Sequence, residues 1–159
     1  MKPAERARLL ARYEEGPTVL EASLAGLSQE ELDFRHGPEE WTPREIVHHT
    51  ADSEMTSAVR LRKLLAEEDT VIQAYDEAEF ARRLYYDRRP IRPSLAAIRA
   101  ARESTASILH QLDDAQWARR GTHAESGVYG VELWLEIYAA HCHDHADQVR
   151  RARVAFRRT

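Results

Sequence analysis

The sequence has a single cysteine, Cys142, so an intramolecular disulfide is impossible and a disulfide-stabilised secreted scaffold is excluded. It also lacks long hydrophobic runs, and no segment approaches the roughly 20 apolar residues that a transmembrane helix needs. The N-terminal stretch MKPAERARLLARYEEG is charged throughout and lacks the apolar core of a signal peptide. We therefore expect a cytoplasmic protein that has no membrane partner.

Positive charge is in the minority, because 23 Lys and Arg residues oppose 27 Asp and Glu residues and the formal net charge is −4. Arginines do cluster at the C-terminus, in RRARVAFRRT. This cluster is terminal and local, whereas nucleic-acid binding needs an extended basic face. No nucleic-acid partner is expected.

Glycine and proline are scarce, with six of each among 159 residues. Together with 43% hydrophobic residues, 31% charged residues and few β-branched runs, this composition favours a globular helical protein. A chain of this length forms one well-cored domain and is too short for two. The prediction is a single all-α domain over residues 1–159.

Hydrophobic spacing predicts four long helices. Gly16 and Pro17 interrupt the first of them, so we expect a kink or a fresh start there. Ser94 is expected to open the third helix. The predicted ranges are about 4–26, 43–67, 94–112 and 129 to the C-terminus.

Polar caps mark several helix starts. Thr42 in WTPRE is the clearest N-cap, and the capping-box spacing after Ser28 and Asp113 announces two short helices. The segments LAGLSQEEL and LHQLDDAQW share this pattern, which suggests two similar helical hairpins. The long crossover EEDTVIQAYDEAEFARRLYYDRRPIRP has its own short helix, capped by Asp76. These features predict a four-helix bundle with short connecting helices and one long crossover.

Three of the eight histidines fall in the segment HCHDH. At about 100° per residue, His141 and His145 share one side of the last helix, and Gln148 follows them one turn later. His143 and Cys142 point elsewhere. An HxxxH pair is a weak metal signal by itself, because two histidines at that spacing also pack or hydrogen-bond in ordinary helices.

The helix after WTPRE is a source for a third ligand, because it contains the adjacent residues His48 and His49. His49 shares its side with a polar stripe that comprises Asp52, Ser53, Thr56 and Arg60. In one interpretation this stripe points into the bundle. In the other it faces solvent, and the core consists of Val47, Ala51, Ala58, Leu61 and Leu65.

The sequence resembles the DinB/YfiT-like family of metal-binding four-helix bundles over nearly its whole length. The resemblance is strongest in EWTPREIVHHTADSEMTSAVRLRKLLAEE, in TVIQAYDE and in YAAHCHDHADQV. Family members combine a tryptophan-led helix start, a histidine in an H-x-x-D context and a late HxxxH pair. The resemblance therefore implies that His49, followed by Asp52, binds a metal ion together with His141 and His145.

Within the family, ADSEM and IQAYDE look most like the YfiT-like branch, which includes bacillithiol transferases and proteins labelled as metal-dependent hydrolases. The resemblance implies an enzyme that transfers a low-molecular-weight thiol such as bacillithiol to an electrophilic small molecule, and it implies a homodimer. A metal-dependent hydrolase and a non-catalytic metal-binding bundle are the alternatives. The chain departs from the branch at Glu54, where a histidine is frequent, and at Asp144, which precedes His145.

Three neutral imidazoles leave a divalent ion with an open coordination position, as in catalytic sites, and zinc or nickel suits such ligands. A thiol at that position would be held as a thiolate and a water as a hydroxide, so the ligands leave both reactions open. Arg60 is a candidate for binding a carboxylate of the thiol cofactor, or for pairing with an acid on a neighbouring helix. No residue is assigned as nucleophile or general base. Candidates to orient an imidazole are Asp52, Asp144 and Gln148, and candidate pocket walls are Tyr75 and Tyr85.

Overall fold

The computed structural model describes residues 1–159 and confirms the predicted four-helix bundle. The long helices are α1 (Pro3–Leu24), α3 (Pro43–Ala66), α5 (Ile91–Leu109) and α7 (Val131–Phe156). The short helices are α2 (Gln29–Leu32), α4 (Glu77–Arg83) and α6 (Asp114–Trp117). Helix α7 packs against α1 and α3, and α5 closes the bundle against the same two helices. None of the helices is both long and apolar enough to cross a membrane.

The predicted caps are present. The side chains of Ser28, Thr42 and Asp113 each accept a hydrogen bond from the backbone N–H three residues later, and the backbone N–H of each cap donates to the side chain of that later residue. Asp76 caps α4 by accepting from the backbone N–H of Glu79. Because these bonds satisfy amides that have no partner inside the helix, they fix where α2, α3, α4 and α6 begin.

The prediction that Ser94 opens the third long helix is wrong. Helix α5 begins at Ile91, and Pro90 is its N-cap. Pro93 lies in the first turn, where the missing N–H of a proline needs no partner inside the helix. The Ser94 hydroxyl instead lies 2.8 Å from Nδ1 of His48.

The interruption at Gly16 and Pro17 does not break the first helix, since α1 is continuous to Leu24. A proline at position 17 leaves the carbonyl of Tyr13 without its helical donor, and the guanidinium of Arg102 donates to that carbonyl. Glycine at position 16 allows the close approach, because a Cβ there would lie only 2.9 Å from Cβ of Cys142. Gly16 therefore makes room for the buried guanidinium of Arg102, and Pro17 leaves it a free acceptor.

A small sheet is the part of the fold that the all-α prediction omitted. Strands β1 (Val71–Ile72), β2 (Arg120–His123) and β3 (Gly127–Gly130) pair in the order β1-β2-β3. The first pair is parallel and the second is antiparallel. Strands of two to four residues are too short to show the alternating pattern by which a strand is identified in a sequence.

The buried interior consists of two apolar clusters. One contains Leu9, Tyr13 and Trp134, and the other contains Leu20 and Val47. On each of the four long helices, polar or small residues separate the positions that belong to the two clusters. This polar layer contains Gly16, Glu54, Arg102 and His141.

Candidate metal centre

The structure brings together the three histidines that the family resemblance implied as metal ligands. His49 lies on α3, and His141 and His145 lie one turn apart on α7. One ring nitrogen from each lies within 4.8 Å of the others. His49 is only 4% exposed, so this part of its stripe points into the bundle. His48 is also buried, but its ring faces Ser94 and the carbonyl of Arg89.

Hydrogen bonds fix the orientation of the two α7 imidazoles. Nδ1 of His141 lies 2.9 Å from Oε1 of Glu54, and Nδ1 of His145 lies 2.8 Å from Oε1 of Gln148. Both partners are acceptors, so each Nδ1 carries the proton and each Nε2 keeps its lone pair. The two Nε2 atoms face each other at 3.1 Å. Two lone pairs that converge in this way fit a shared cation between them.

Of the three predicted partners for the histidines, only Gln148 contacts one. Asp52 accepts a 2.6 Å hydrogen bond from the Tyr86 hydroxyl, and Asp144 is exposed to solvent. The partner of His141 is instead Glu54, which lies between the histidine and the buried arginine. At position 54 the sequence departs from the YfiT-like pattern, and nothing in the sequence indicated that Glu54 would contact His141.

Glu54 and Arg102 form a buried ion pair beneath the histidines. Their side chains are 0% and 2% exposed, and Oε1 of Glu54 lies 2.7 Å from Nη2 of Arg102. Arg102 also donates to the carbonyl of Tyr138 at 2.8 Å. Burial alone would raise the pKa of Glu54, but Arg102 and His141 hold it below the usual value. The carboxylate is therefore charged and accepts from His141.

Burial keeps His49 and His145 neutral. It lowers the pKa of His49 to about 2, with a further contribution from the neighbouring His145 and His141. Burial and the proximity of His141 lower the pKa of His145 to about 4. Both side chains are unprotonated at neutral pH, which is the form that binds a metal ion.

These pKa shifts predict how the stability of the metal-free protein depends on pH. The unfolded chain protonates its histidines below about pH 6.5, whereas folded His49 stays neutral, so the free energy of unfolding falls as the pH falls. For His49 the loss between pH 7.5 and pH 5 is up to about 2 kcal/mol. Urea unfolding of chelator-treated protein at both pH values measures it. The loss should be smaller in His49→Gln, and an equal loss in the two proteins would contradict the prediction.

A cleft of about 200 Å³ leads to the histidines from the surface. His49 and His145 line its inner end, together with Gln148 and Trp41. The Trp41 ring meets the His49 ring edge to face, with 4.4 Å between the centroids. The outer part is lined by Glu39, Glu40 and Glu77. The candidate metal centre is therefore accessible to a small molecule.

Arg60 and the two predicted pocket walls, Tyr75 and Tyr85, do not line this cleft. The Arg60 guanidinium donates to the carbonyl of Gln73 at 2.5 Å and lies 5.7 Å from the ring centroid of Tyr75. Its predicted contact with a thiol cofactor stays a prediction. Tyr75 packs against Phe80, and Tyr85 is 56% exposed.

Cys142 is fully buried, although it directly follows His141 in the sequence. Burial raises the pKa of its thiol well above the usual value. A protonated thiol that solvent cannot reach is neither a metal ligand nor a nucleophile. The HCHDH segment therefore brings only its first and last residues to the centre.

Comparison with known proteins identifies the family to which nearly the whole chain is similar. Residues 12–149 match the sequence profile of the DinB superfamily. "Putative metal-dependent hydrolase OB0782" of Oceanobacillus iheyensis is 36% identical over 132 residues, which cover 83% of this chain and 76% of that protein. A similarly named protein of Halalkalibacterium halodurans is 27% identical over 138 residues, 87% of this chain and 80% of that protein.

One solved structure is similar over the complete bundle. It is described as "YfiT from Bacillus subtilis is a probable metal-dependent hydrolase with an unusual four-helix bundle topology". The TM-score is 0.90 at 26% sequence identity, and the superposition covers 96% of this chain and 87% of that chain.

Proposed function

The chain belongs to the DinB superfamily, and from this we propose that it is a metal-dependent hydrolase of a small-molecule substrate. His49, His141 and His145 are the proposed metal ligands, with zinc or nickel as the proposed ion. The observation that supports them best is the convergence of one ring nitrogen from each histidine within 4.8 Å. The names of the relatives and of the structural neighbour support hydrolysis as the reaction.

The protein side chains have separate tasks in this proposal. A divalent ion held by these three imidazoles would supply the Lewis acidity for hydrolysis at neutral pH. Glu54 and Gln148 hold His141 and His145 in the tautomer that leaves Nε2 free to bind. Trp41 packs against the ring of His49 and helps to fix its orientation beside the cleft.

Thiol transfer, which the family resemblance placed first, has weaker support than hydrolysis. The similar proteins are named as hydrolases, and none of the names mentions a thiol. Arg60, the residue predicted to hold a carboxylate of the thiol cofactor, does not line the cleft. We therefore retain the hydrolase, which the sequence offered as the alternative.

The test is whether turnover needs an added thiol. Protein loaded with zinc or nickel is assayed against nitrophenyl esters, phosphate esters and anilides, first in thiol-free buffer and then with a low-molecular-weight thiol. We expect turnover in thiol-free buffer and its loss after metal removal by a chelator. Turnover only in the presence of the thiol would support the transferase instead. Bound metal without turnover in either buffer would support the non-catalytic bundle.

A further inference from the structure

The outer part of the cleft carries charge of one sign. Glu39 and Glu40 come from the loop before α3, and Glu77 comes from the first residue of α4. All three side chains are exposed and line the cleft, and no lysine or arginine lines it. A molecule that enters the cleft therefore passes three carboxylates before it reaches the histidines.

These carboxylates contribute little to holding the fold together. Glu39 and Glu77 take part in no ion pair, and Glu40 has only Nε2 of His36 at 3.7 Å. The nearby Arg35 forms no ion pair with them, because its guanidinium binds the carboxylate of Glu45 at 2.6 and 2.8 Å and contacts Glu40 only at the backbone carbonyl. The negative charge at the mouth is thus available to an incoming ligand.

The inner end of the same cleft contains a buried polar group without a partner. His49 is 4% exposed, and its Nδ1 makes no hydrogen bond within the protein. Its ring lines the cleft beside that of His145. This ring nitrogen lies at the inner end of an open cleft, so it is free to bind a metal ion or another ligand that the cleft admits.

We propose that Glu39, Glu40 and Glu77 make the cleft selective for positively charged substrates, which carry an ammonium or guanidinium group near the bond to be hydrolysed. This inference rests on the proposed function, because it concerns the substrate of the same centre. A divalent ion at the inner end would by itself favour anionic ligands. The three carboxylates oppose that preference at the entrance, where the substrate's distal group would lie.

The dimensions of the cleft make this effect measurable. A cleft of about 200 Å³ keeps a small ligand within about 10 Å of its mouth, which is comparable to the Debye length at about 0.1 M salt. We expect replacement of the three glutamates by glutamine to reduce the preference for a cation over an anion about tenfold at low salt. The reduction should shrink as the salt concentration rises.

The test uses three thiols of matched length that differ only in the distal group. Thiocholine carries a quaternary ammonium that cannot bind a metal, 2-mercaptoethanol is neutral, and 2-mercaptoethanesulfonate is an anion. Each is titrated into cobalt-loaded protein, and the sulfur-to-cobalt absorption band reports binding. The triple variant is Glu39→Gln, Glu40→Gln and Glu77→Gln. Its control has the same charge change at exposed glutamates that form no ion pair and do not line the cleft, namely Glu5, Glu15 and Glu136.

The decisive quantity is the ratio of thiocholine affinity to sulfonate affinity, compared between variants so that intrinsic differences between the thiols cancel. The proposal holds if this ratio falls in the triple variant and is unchanged in the control. An unchanged ratio in the triple variant, with all three thiols binding, overturns the charge selectivity and leaves the proposed function intact. Failure of the protein to bind cobalt overturns the proposed function and the selectivity with it. Cobalt binding that no thiol perturbs overturns the selectivity alone, because ligands in the cleft would then not reach the ion.

Discussion

Replacing His49 by alanine is expected to remove the bound metal ion and hydrolytic activity while the bundle stays folded. The ligand set falls from three imidazoles to the two on α7, which is the HxxxH pair that is weak by itself. Loss of an orienting partner alone lowers metal affinity by about 10- to 100-fold, so loss of a ligand should exceed about 100-fold. Elemental analysis of untagged protein gives the metal content per chain, and competition with a chromogenic chelator gives the affinity.

The fold should tolerate this change because His49 contributes no hydrogen bond through Nδ1, and its removal leaves no partner unsatisfied. A second variant, His49→Phe, keeps a ring against Trp41 and separates the loss of a ligand from the loss of packing. The matched control is His143→Ala on α7, where the histidine ring contacts the carbonyl of Arg12 and does not join the other three histidines. One metal ion per chain in His49→Ala, at wild-type affinity, would remove His49 from the ligand set.

The bundle and the three histidines were predictable from the sequence for different reasons. The caps at Thr42, Ser28 and Asp113 are local features that four consecutive residues determine. The structure confirms all three. The pairing of His141 with His145 follows from helical period alone. The choice of His49 over His48 did not follow from the residues, because both are buried, and only the family resemblance distinguished them.

The polar layer beneath the histidines was not predictable because its members come from distant positions and each has an ordinary local explanation. Gly16 and Pro17 look like a helix break, and Arg102 looks like a surface residue of an amphipathic helix. Only the packed bundle shows that the Tyr13 carbonyl, left free by Pro17, accepts from Arg102. The start of α5 was misplaced for a similar reason, because Ser94 fits an N-cap locally but contacts His48 in the fold.

Replacing Arg102 by methionine is expected to destabilise the protein strongly. It leaves the Glu54 carboxylate buried at 0% exposure without its cation, and it removes a donor from the carbonyls of Tyr13 and Tyr138. Breaking a buried ion pair from one side costs about 3–5 kcal/mol. The free energy of unfolding from urea titration at pH 7.5 measures this loss.

The double variant Arg102→Met with Glu54→Gln should recover part of the lost stability, because glutamine removes the buried charge and still offers an oxygen to Nδ1 of His141. Glu54→Gln alone should lower metal affinity by about 10- to 100-fold, since a neutral amide polarises the imidazole less than a carboxylate. The control is the exposed ion pair of Arg99 and Glu21, whose side chains are 44% and 39% exposed, with the matched changes Arg99→Met and Glu21→Gln. The interaction free energy between these two changes should be within about 1 kcal/mol. If the double variant at positions 54 and 102 were no more stable than Arg102→Met, the instability would come from the carbonyl of Tyr13, which has no helical donor because of Pro17. The ion pair would then serve only to orient His141.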